Sequence, residues 1–368
     1  MNAVLKLWNT IQMTLFPSIE EVIGAPLDEK ARELVAACEL ANLGRFASQL
    51  PRARLGRKPL DRLAMLTAFL AKPIYRLADT KSLRSRLMAD SALRRLCGWN
   101  DPGDVPSPAT FSRFFARIAG AGLAERIHEA MIREHAAPRL IGHLSRDSVA
   151  VPAREKPLAK PAPAEPAKPK FKRGRPRKGD PQREPQPPRR LELQPARALA
   201  ENLADLPRAC DVGSKRDSKG KHNFWIGYKL HMDTIDGDIP AGVILTSAST
   251  HDSQVAIPLA QMSAARLEAV LYELMDGAYD AAEIKTFSGS LGRVPIIDAN
   301  PRRGEKLPME AFRRARYANR TASERVNSQL MDNYGGRTIR VRGPVKVMAH
   351  LMLGVVALTA AQMIRFVT

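Results

Sequence analysis

The chain has 368 residues, of which 44% are hydrophobic and 26% charged, a composition that fits one large or two modest globular domains. It carries 58 basic and 38 acidic residues, so its formal net charge is +20, and such an excess favours polyanionic partners, nucleic acid first. The three cysteines (Cys38, Cys97 and Cys210) have no CxxC spacing, which excludes a disulfide scaffold or a zinc ribbon and fits a reducing cytoplasm.

Neither end of the sequence is predicted to be a targeting or membrane segment. Asn9, Thr10 and Gln12 interrupt the early apolar stretch, and no small-residue cleavage site follows them, which argues against a signal peptide. Near the other end, the mostly apolar stretch Leu351–Ala361 covers 11 residues, too few to span a bilayer. We therefore expect a cytoplasmic protein that does not contact a membrane.

Residues 1–136 are predicted to form an all-α N-terminal domain that binds DNA. Ser107 and Pro108 supply an N-cap and a first-turn proline for a helix that should run to about Ile118. Together with the helix that follows, residues 109–117 could act as the recognition helix of a helix-turn-helix. An ordinary packed helix pair is the alternative.

Residues 152–208 are predicted to form a basic, proline-rich linker insertion that is largely disordered. The part from 152 to 190 holds 11 of the 28 prolines, with 13 basic against 4 acidic residues, and shows no hydrophobic period. It contains an Arg-Gly-Arg-Pro sequence, which in an extended form could enter a narrow A·T minor groove; a solvated basic linker is the alternative. The arginines of this segment are Arg173, Arg175 and Arg177.

From residue 137 the pattern becomes α/β. Residues 137–151 are predicted to supply the first strand of a catalytic core, and residues 209–368 the remainder of that core and a C-terminal helix. Between 224 and 232, apolar side chains alternate with Lys229 and His231, as in a strand with two different faces. The Asp236-Gly237 turn then predicts a hairpin. Further elements are expected as a helix over 253–267, strands over 270–275 and 294–298, and a buried helix over 345–367.

Two aspartates stand where strands of this sheet could bring them together. Asp147 lies within the first strand, and Asp276 closes a later strand just before Gly277. Because adjacent strands lie ~4.8 Å apart, acids at matching heights can share metal ions. A single Asp at a strand end is more often a turn or cap residue.

A third acid belongs to a set of three large polar side chains. Tyr317, Arg320 and Glu324 are separated by three and four residues, so on one helix they form a single stripe. Glutamate oxygens suit Mg²⁺ and a guanidinium suits phosphate, so this stripe indicates a phosphate-and-metal site. A solvated helix face could show the same pattern.

In this order the motifs resemble those of bacterial insertion-sequence transposases of the DDE type, whose catalytic domain is ribonuclease-H-like. Tyr317, Arg320 and Glu324 match the family's Y-x2-R-x3-E-x6-K signature, but Met331 stands at the lysine position, and Arg337 or Arg340 could replace the missing charge. The other family-like segments are the Ser-Arg-Asp-Ser context of Asp147, the Gly-Tyr-Lys-Leu-His strand, Thr250-His251-Asp252 and Asp276-Gly-Ala-Tyr-Asp280.

The resemblance implies a fold, an activity and its cofactor. It predicts an α/β catalytic core, with a ribonuclease-H-like mixed sheet flanked by helices and preceded by the all-α domain. Asp147, Asp276 and Glu324 would be the catalytic residues and would bind two Mg²⁺ ions, with Mn²⁺ as a substitute. The partners would be double-stranded DNA, as element ends and as target, and a second copy of the chain in a homodimer assembled on DNA. The reaction would be DNA cleavage followed by strand transfer.

Other assignments depend on weaker signals. Asp211 and Asp233 compete with Asp147, but neither follows a hydrophobic strand, so Asp147 is preferred. His251 and Asp252 precede a helix and are expected to form its N-cap rather than to bind metal. A catalytically silent DNA-binding protein and a nuclease of the same fold are the alternative functions. The expected DNA contacts, each with ordinary solvated charge or a packed side chain as its alternative, are Tyr317, Arg320, Lys229, His231, Arg302, Arg303, Arg337 and the three linker arginines.

Overall fold

The computed structural model describes residues 19–50, 61–159, 187–216, 220–299 and 308–367. Within these ranges the chain forms a six-stranded mixed sheet with helices on both faces, and a helical N-terminal region precedes it. The fold class expected from the sequence, a ribonuclease-H-like α/β core behind an all-α region, is therefore confirmed.

The described N-terminal residues are helical because each helix has a capped start and a buried apolar face. Asp28, Asp61, Asp79, Asp90 and Ser107 accept backbone N–H groups at helix starts, which satisfies donors that have no partner inside the helix. The helices are α1 (Ile19–Ile23), α2 (Glu29–Leu40), α3 (Leu43–Gln49), α4 (Arg62–Ile74), α5 (Thr80–Ala89), α6 (Ser91–Leu96), α7 (Pro108–Gly120) and α8 (Leu123–His135).

The helix predicted after Ser107 is α7, and it packs as part of the core. Its apolar side, with Phe111, Phe114 and Phe115, surrounds Phe69 of α4 at ring distances of 5.4–6.1 Å. Its other side is exposed. α7 and α8 thus form a packed pair, and whether α7 also contacts DNA stays a prediction.

The sheet places its first strand at the centre. β1 pairs antiparallel with β3 on one side and parallel with β5 on the other, and β6 extends the sheet beyond β5. β3 pairs along its other edge with β2 over its first half and with β4 over its second. The strands are β1 (Leu140–Pro152), β2 (Asp211–Arg216), β3 (His222–Ile235), β4 (Ile239–Ser247), β5 (Ala269–Met275) and β6 (Val294–Ile297).

Gly227 is the residue at which β3 changes partners. Its φ is 151°, and a Cβ there would lie 2.2 Å from the carbonyl oxygen of Val151. Only glycine allows the backbones of β1 and β3 to approach this closely. Beyond Gly227, the first half of β3 leaves β1 and continues as a hairpin with β2.

The remaining helices cover the two faces and complete the helical layer. They are α9 (Arg190–Leu193), α10 (Leu199–Asp205), α11 (Ser253–Ala264), α12 (Ala282–Ser290), α13 (Ala311–Tyr317), α14 (Thr321–Asn333) and α15 (Pro344–Val367). A 3-10 turn, Ala318–Arg320, joins α13 to α14.

The linker predicted over 152–208 is too long at its C-terminal end. Residues 190–205 include α9 and α10, and Leu199, Leu203 and Leu206 pack against α11 and β4. The buried Asn202 amide also donates to the Gln194 carbonyl at 3.0 Å. The prolines and charges around these leucines masked their apolar spacing in the sequence.

The C-terminal helix α15 is longer than its most apolar stretch suggested. Residues 344–366 are long and apolar enough to cross a membrane, so the length argument made from residues 351–361 is wrong. Most of this helix is buried, because it packs against α2, α4, α7, α8 and β4. Its apolar side chains are buried in the protein core, where they form one hydrophobic cluster with the N-terminal helices and the sheet.

Candidate active site

The sheet brings Asp147 and Asp276 to the same height on neighbouring strands. Ser145 of β1 pairs with Leu274 of β5 in the parallel register, and each aspartate follows two residues later. The carboxyl ends of parallel strands meet at one edge of a sheet. Burial is the main cause that raises the pKa of Asp147, and the negative charge of Asp276 adds a smaller contribution in the same direction.

Asp147 lies in a largely desolvated position beneath α14. Burial raises its pKa to about 6, and the charges of Lys215 and Arg320 act in the opposite direction. Asn327 of α14 donates its side-chain N–H to Asp147 Oδ2 at 3.2 Å. This carboxylate therefore has an oriented partner on α14 and two cations nearby.

Asp276 performs the capping role that is common for an Asp at a strand end. Its Oδ1 accepts the backbone N–H of Ala278 at 2.9 Å and so starts the short 3-10 turn Gly277–Tyr279. The cap fixes the carboxylate at the sheet edge beside Asp147. Asp276 can therefore cap the turn and still lie beside Asp147.

Tyr317, Arg320 and Glu324 stay together, although the helix that carries them is interrupted. Tyr317 ends α13, Arg320 ends the 3-10 turn, and Glu324 lies in the first turn of α14. Arg320 forms an ion pair with Glu324, and its guanidinium carbon lies 5.8 Å from the centre of the Tyr317 ring. Val326 and Leu330 of α14 are buried and give this helix a core face.

The start of α14 is fixed to β1 by Ser145. The Ser145 hydroxyl donates to the Arg320 carbonyl at 2.9 Å and lies 3.0 Å from the Ser323 hydroxyl. Ser145 and Asp147 share one face of β1 because side chains alternate along a strand. The same face therefore holds the helix that carries Glu324 and presents Asp147 to it.

The three acids are not assembled into one metal-binding group. Among the residues that the structure describes, no three acidic, histidine or cysteine side chains lie close enough to hold an ion. Glu324 is turned towards Arg320 instead, with 53% of its side chain exposed. Asp147 and Asp276 are held in place by strand pairing and by a cap, whereas Glu324 is exposed and paired with Arg320.

His231 and Lys229 do not line an open channel, so their placement among the DNA contacts is wrong for this conformation. His231 is fully buried, and its Nε2 lies 2.9 Å from Thr246 Oγ1. Lys229 donates to Asp252 Oδ1 and to the Thr250 carbonyl, both at 2.9 Å. The polar face of β3 is covered by α11, and the Lys229–Asp252 ion pair lies at the start of that helix.

Asp252 does not form the N-cap that the sequence suggested. Its side chain makes no capping hydrogen bond to α11. His251 takes the local role, because its Nδ1 accepts the Ser253 N–H at 3.3 Å and lies 2.8 Å from the Ser253 hydroxyl. The carboxylate of Asp252 is used to hold Lys229.

The two competitors of Asp147 have other partners. Asp233 forms a fully buried ion pair with Arg146, on the sheet face opposite to Asp147. Asp211 begins β2, at the edge of the sheet, and lies 2.5 Å from the Ser249 hydroxyl. Neither of them is positioned by the strand register next to Asp276.

Met331, at the position of the missing lysine, is a core residue. Only 7% of its surface is exposed, and its sulfur lies where a Cβ on Gly336 would approach to 2.6 Å. Arg337 is largely exposed and pairs with Asp332 at 2.5 Å. The thioether therefore packs under the turn after α14 and does not face a DNA channel.

Three side chains near the acids were missed by the sequence analysis. Asn327 lies one helical turn after Glu324, and this spacing could have identified it. Lys215 belongs to a strand that was not predicted. Tyr279, in the Asp-Gly-Ala-Tyr-Asp segment, is fully buried; burial and the charges of Asp252 and Asp147 raise the pKa of its hydroxyl.

Five of the predicted DNA contacts lie outside the described residues. They are Arg173, Arg175, Arg177, Arg302 and Arg303.

Two family models match the sequence. The first, Transposase domain (DUF772), matches residues 24–117, and the second, Transposase DDE domain, matches residues 204–360. The chain belongs to the insertion-sequence DDE transposases. No curated protein and no solved structure matches it.

The matched ranges of this transposase include two of the three candidate acids. Asp276 and Glu324 lie inside the DDE range, together with Tyr317 and Arg320. Asp147 lies outside both ranges. The assignment of Asp147 therefore depends on the strand register.

Proposed function

We propose that this transposase cleaves DNA at the ends of its element and joins the freed 3′ end to target DNA, with Asp147, Asp276 and Glu324 as its metal ligands. The observation that carries the proposal is the register of β1 and β5, which aligns Asp147 with Asp276 beneath the helix that bears Glu324. Such an edge of a sheet is a common place for a ligand site.

The residues present fit hard divalent cations. Carboxylate oxygens are preferred by Mg²⁺ and accepted by Mn²⁺. Burial raises the pKa of Asp147, and a bound cation would stabilise the charged form of this carboxylate. Two bound Mg²⁺ ions would activate the attacking oxygen and neutralise charge that develops on the phosphate. Glu324 completes the ligand set when it leaves Arg320.

Arg320 and Glu324 give the site a way to respond to DNA. The guanidinium pairs with the carboxylate. A DNA phosphate is an equivalent partner for the guanidinium, because both anions accept paired N–H donors. Phosphate binding by Arg320 therefore releases Glu324 towards Asp147 and Asp276, and Tyr317 contacts the same DNA segment.

Helix α13 provides the main DNA surface next to this site. None of its residues is buried, so it contributes little to the core. It carries Arg313, Arg314 and Arg316, and the Arg316 guanidinium lies 4.1 Å from the centre of the Tyr272 ring. These cations contact DNA phosphates, with Arg337 and, outside the described residues, the loop and linker arginines as further contacts.

The N-terminal helices and the homodimer are further parts of the proposal. The exposed side of α7 carries Arg113 and Arg117, which suit phosphate contacts of a helix-turn-helix. The homodimer assembled on DNA stays a prediction from the family resemblance.

The experiment is Mg²⁺-dependent joining of an oligonucleotide, carrying the terminal sequence of the encoding element, to a supercoiled plasmid. A transposase yields joined product, a nuclease yields cut plasmid alone, and a silent DNA-binding protein yields neither. Asp276→Asn and Glu324→Gln should abolish joining and keep DNA binding, since the acids act in chemistry and the basic residues supply affinity. Glu268→Gln is the matched control, because this exposed glutamate lies at the other end of β5.

A further inference from the structure

A large cleft lies at the opposite end of α14 from Glu324. It is formed by α2, the turn after α4 and the C-terminal ends of α14 and α15, and its volume is about 610 Å³. Asn333, which lines it, follows Glu324 by nine residues, or about 14 Å along the helix axis. The cleft is therefore separate from the acid site, and its size is usual for a small-ligand site.

Basic side chains outnumber acidic ones in this cleft. The charged residues that line it are Lys30, Arg32, Arg76, Arg365, Glu29 and Glu33. Both carboxylate oxygens of Glu33 already have partners, because Lys30 pairs with Oε2 at 2.6 Å and the Tyr334 hydroxyl donates to Oε1 at 2.8 Å. Arg76 and Arg365 are exposed, and neither forms an ion pair with another described residue. Two guanidinium groups in the cleft are thus left without a carboxylate.

Arg76 and Arg365 come together around Tyr334, although one follows α4 and the other lies near the end of α15. All three residues line the cleft. Burial and the charge of Glu33 raise the pKa of the Tyr334 hydroxyl, and the charges of Arg365 and Arg76 both act in the opposite direction. Since charge effects fade with distance, both guanidinium groups lie near this hydroxyl. Guanidinium groups are well suited to phosphate, because their planar N–H donors match its oxygens.

Arg76 has a backbone conformation that glycine usually supplies. Its φ is 53°, in the left-handed region. It follows α4 in a Schellman motif, in which the Arg76 N–H donates to the Pro73 carbonyl at 3.0 Å and the Leu77 N–H to the Lys72 carbonyl at 2.9 Å. Glycine is favoured at this position because a Cβ makes left-handed backbone less stable. An arginine here lowers stability and places a guanidinium in the cleft, which indicates a binding role for the side chain.

We propose that this cleft is a phosphate-binding site distinct from the acid site, in which Arg76 and Arg365 hold a phosphate and Asn333 adds an amide N–H. The excess of positive charge in the cleft favours such an anion. The same chemistry suits a small phosphate compound and the DNA backbone, and the test separates these two sources. The inference does not rest on the proposed function, because it uses neither the three acids nor a metal.

The test measures binding of pyrophosphate and of a blunt duplex DNA by the full chain, in EDTA and at constant ionic strength. Arg76→Gly and Arg365→Gln should each weaken binding of at least one probe by about tenfold, because a charge-assisted contact is lost. Loss for pyrophosphate alone assigns the cleft to a small phosphate compound. Loss for the duplex assigns it to the DNA backbone, and the slope of log K against log[salt] should then shrink by about 0.9 for each lost contact.

Arg76→Gly also separates a binding role from a structural one. Glycine adopts the left-handed backbone without strain, so the thermal midpoint without ligand should equal or exceed that of the wild type while binding falls. Arg45→Gln is the matched control, because Arg45 is an exposed arginine on α3 outside the cleft. This control should keep the wild-type affinity for both probes.

Two results would overturn the proposal. One is an unchanged affinity for both probes in either Arg76→Gly or Arg365→Gln. The other is an equal loss in Arg45→Gln, which would attribute binding to the net charge of the chain rather than to the cleft. The assay contains no metal and needs no catalysis, so failure of the proposed strand transfer cannot be mistaken for failure of this inference.

Discussion

Asp233 and Arg146 form a fully buried ion pair with two hydrogen bonds, Nε to Oδ1 at 2.7 Å and Nη2 to Oδ2 at 3.0 Å. Arg146 also lies 3.5 Å from Glu273, which in turn binds Arg293 at 2.7 Å. This network joins β3, β1 and β5 on the sheet face opposite to Asp147. It therefore fixes the strands whose register aligns the candidate acids.

Asp233→Ala should destabilise the protein strongly. Removal of the carboxylate leaves the Arg146 charge buried with fewer partners, and breaking a buried pair costs about 3–5 kcal/mol. Urea unfolding measures this loss. Asp332→Ala, which breaks an exposed pair with Arg337, is the control and should leave the free energy of unfolding almost unchanged. Equal losses in both variants would contradict a structural role for Asp233.

Asn327→Ala should weaken metal binding without unfolding the chain. Asn327 orients Asp147 through a 3.2 Å hydrogen bond, and loss of such a partner typically lowers metal affinity or activity about 10- to 100-fold. The Mg²⁺ concentration for half-maximal cleavage measures the effect. Gln329→Ala, on the same helix but bound to Gln362, should behave like the wild type. An unchanged Mg²⁺ requirement in Asn327→Ala would exclude this role.

Met331→Lys should lower stability and bring no gain in affinity for DNA. The side chain is buried under Gly336, so an ammonium group there would be desolvated without a partner. We expect a lower thermal midpoint and unchanged binding of the element end at low salt. Tighter binding that fades as salt rises would instead place this side chain at the DNA surface.

Acid should destabilise the protein partly through His231. Burial lowers its pKa to about 4, with Asp252 and Lys229 acting in opposite directions. Since the unfolded value is ~6.5, the neutral imidazole contributes stability that is present above that pH and is lost as the pH falls towards 4. His231→Gln can keep a donor to Thr246 but cannot take up a proton.

The thermal midpoint of His231→Gln should therefore fall less than that of the wild type between pH 7 and pH 4, as follows from that titration range. Part of the fall should remain, because burial also lowers the pKa of His128 and of His350, each to about 3. A wild-type pH dependence in the variant would show that His231 is not a source of acid instability.

Features that depend on local periodicity were predictable from the sequence. The exposure of a side chain was not, where it depends on another element that packs on the strand. The alternation along β3 was correct, but its polar face is buried as well, because α11 covers Lys229 and His231; one strand does not reveal what packs on it. Phe224 belongs to the apolar series of that alternation. It is exposed because β3 leaves β1 at Gly227, and such a departure depends on strand pairing.

In the candidate site, too, some features were predictable from the sequence and others were not. The spacing of Tyr317, Arg320 and Glu324 predicted their proximity, even though a 3-10 turn replaces part of the expected helix. The burial of Met331 was not predictable from that spacing, because the turn at Gly336 folds back over it. The pairing of Asp147 with Asp276 required the sheet register, since the residues between β1 and β2 separate the two acids widely in sequence.

Asp147, which lies outside both matched ranges, is the proposed first acid of the site. The most direct measurement is Mg²⁺-dependent joining of the element end to plasmid by Asp147→Asn, beside Asp211→Asn. Asp147→Asn should bind the end as tightly as the wild type and give no joined product, while Asp211→Asn should retain joining. Joined product from Asp147→Asn, or its loss from Asp211→Asn alone, would contradict the assignment made from the register of β1 and β5.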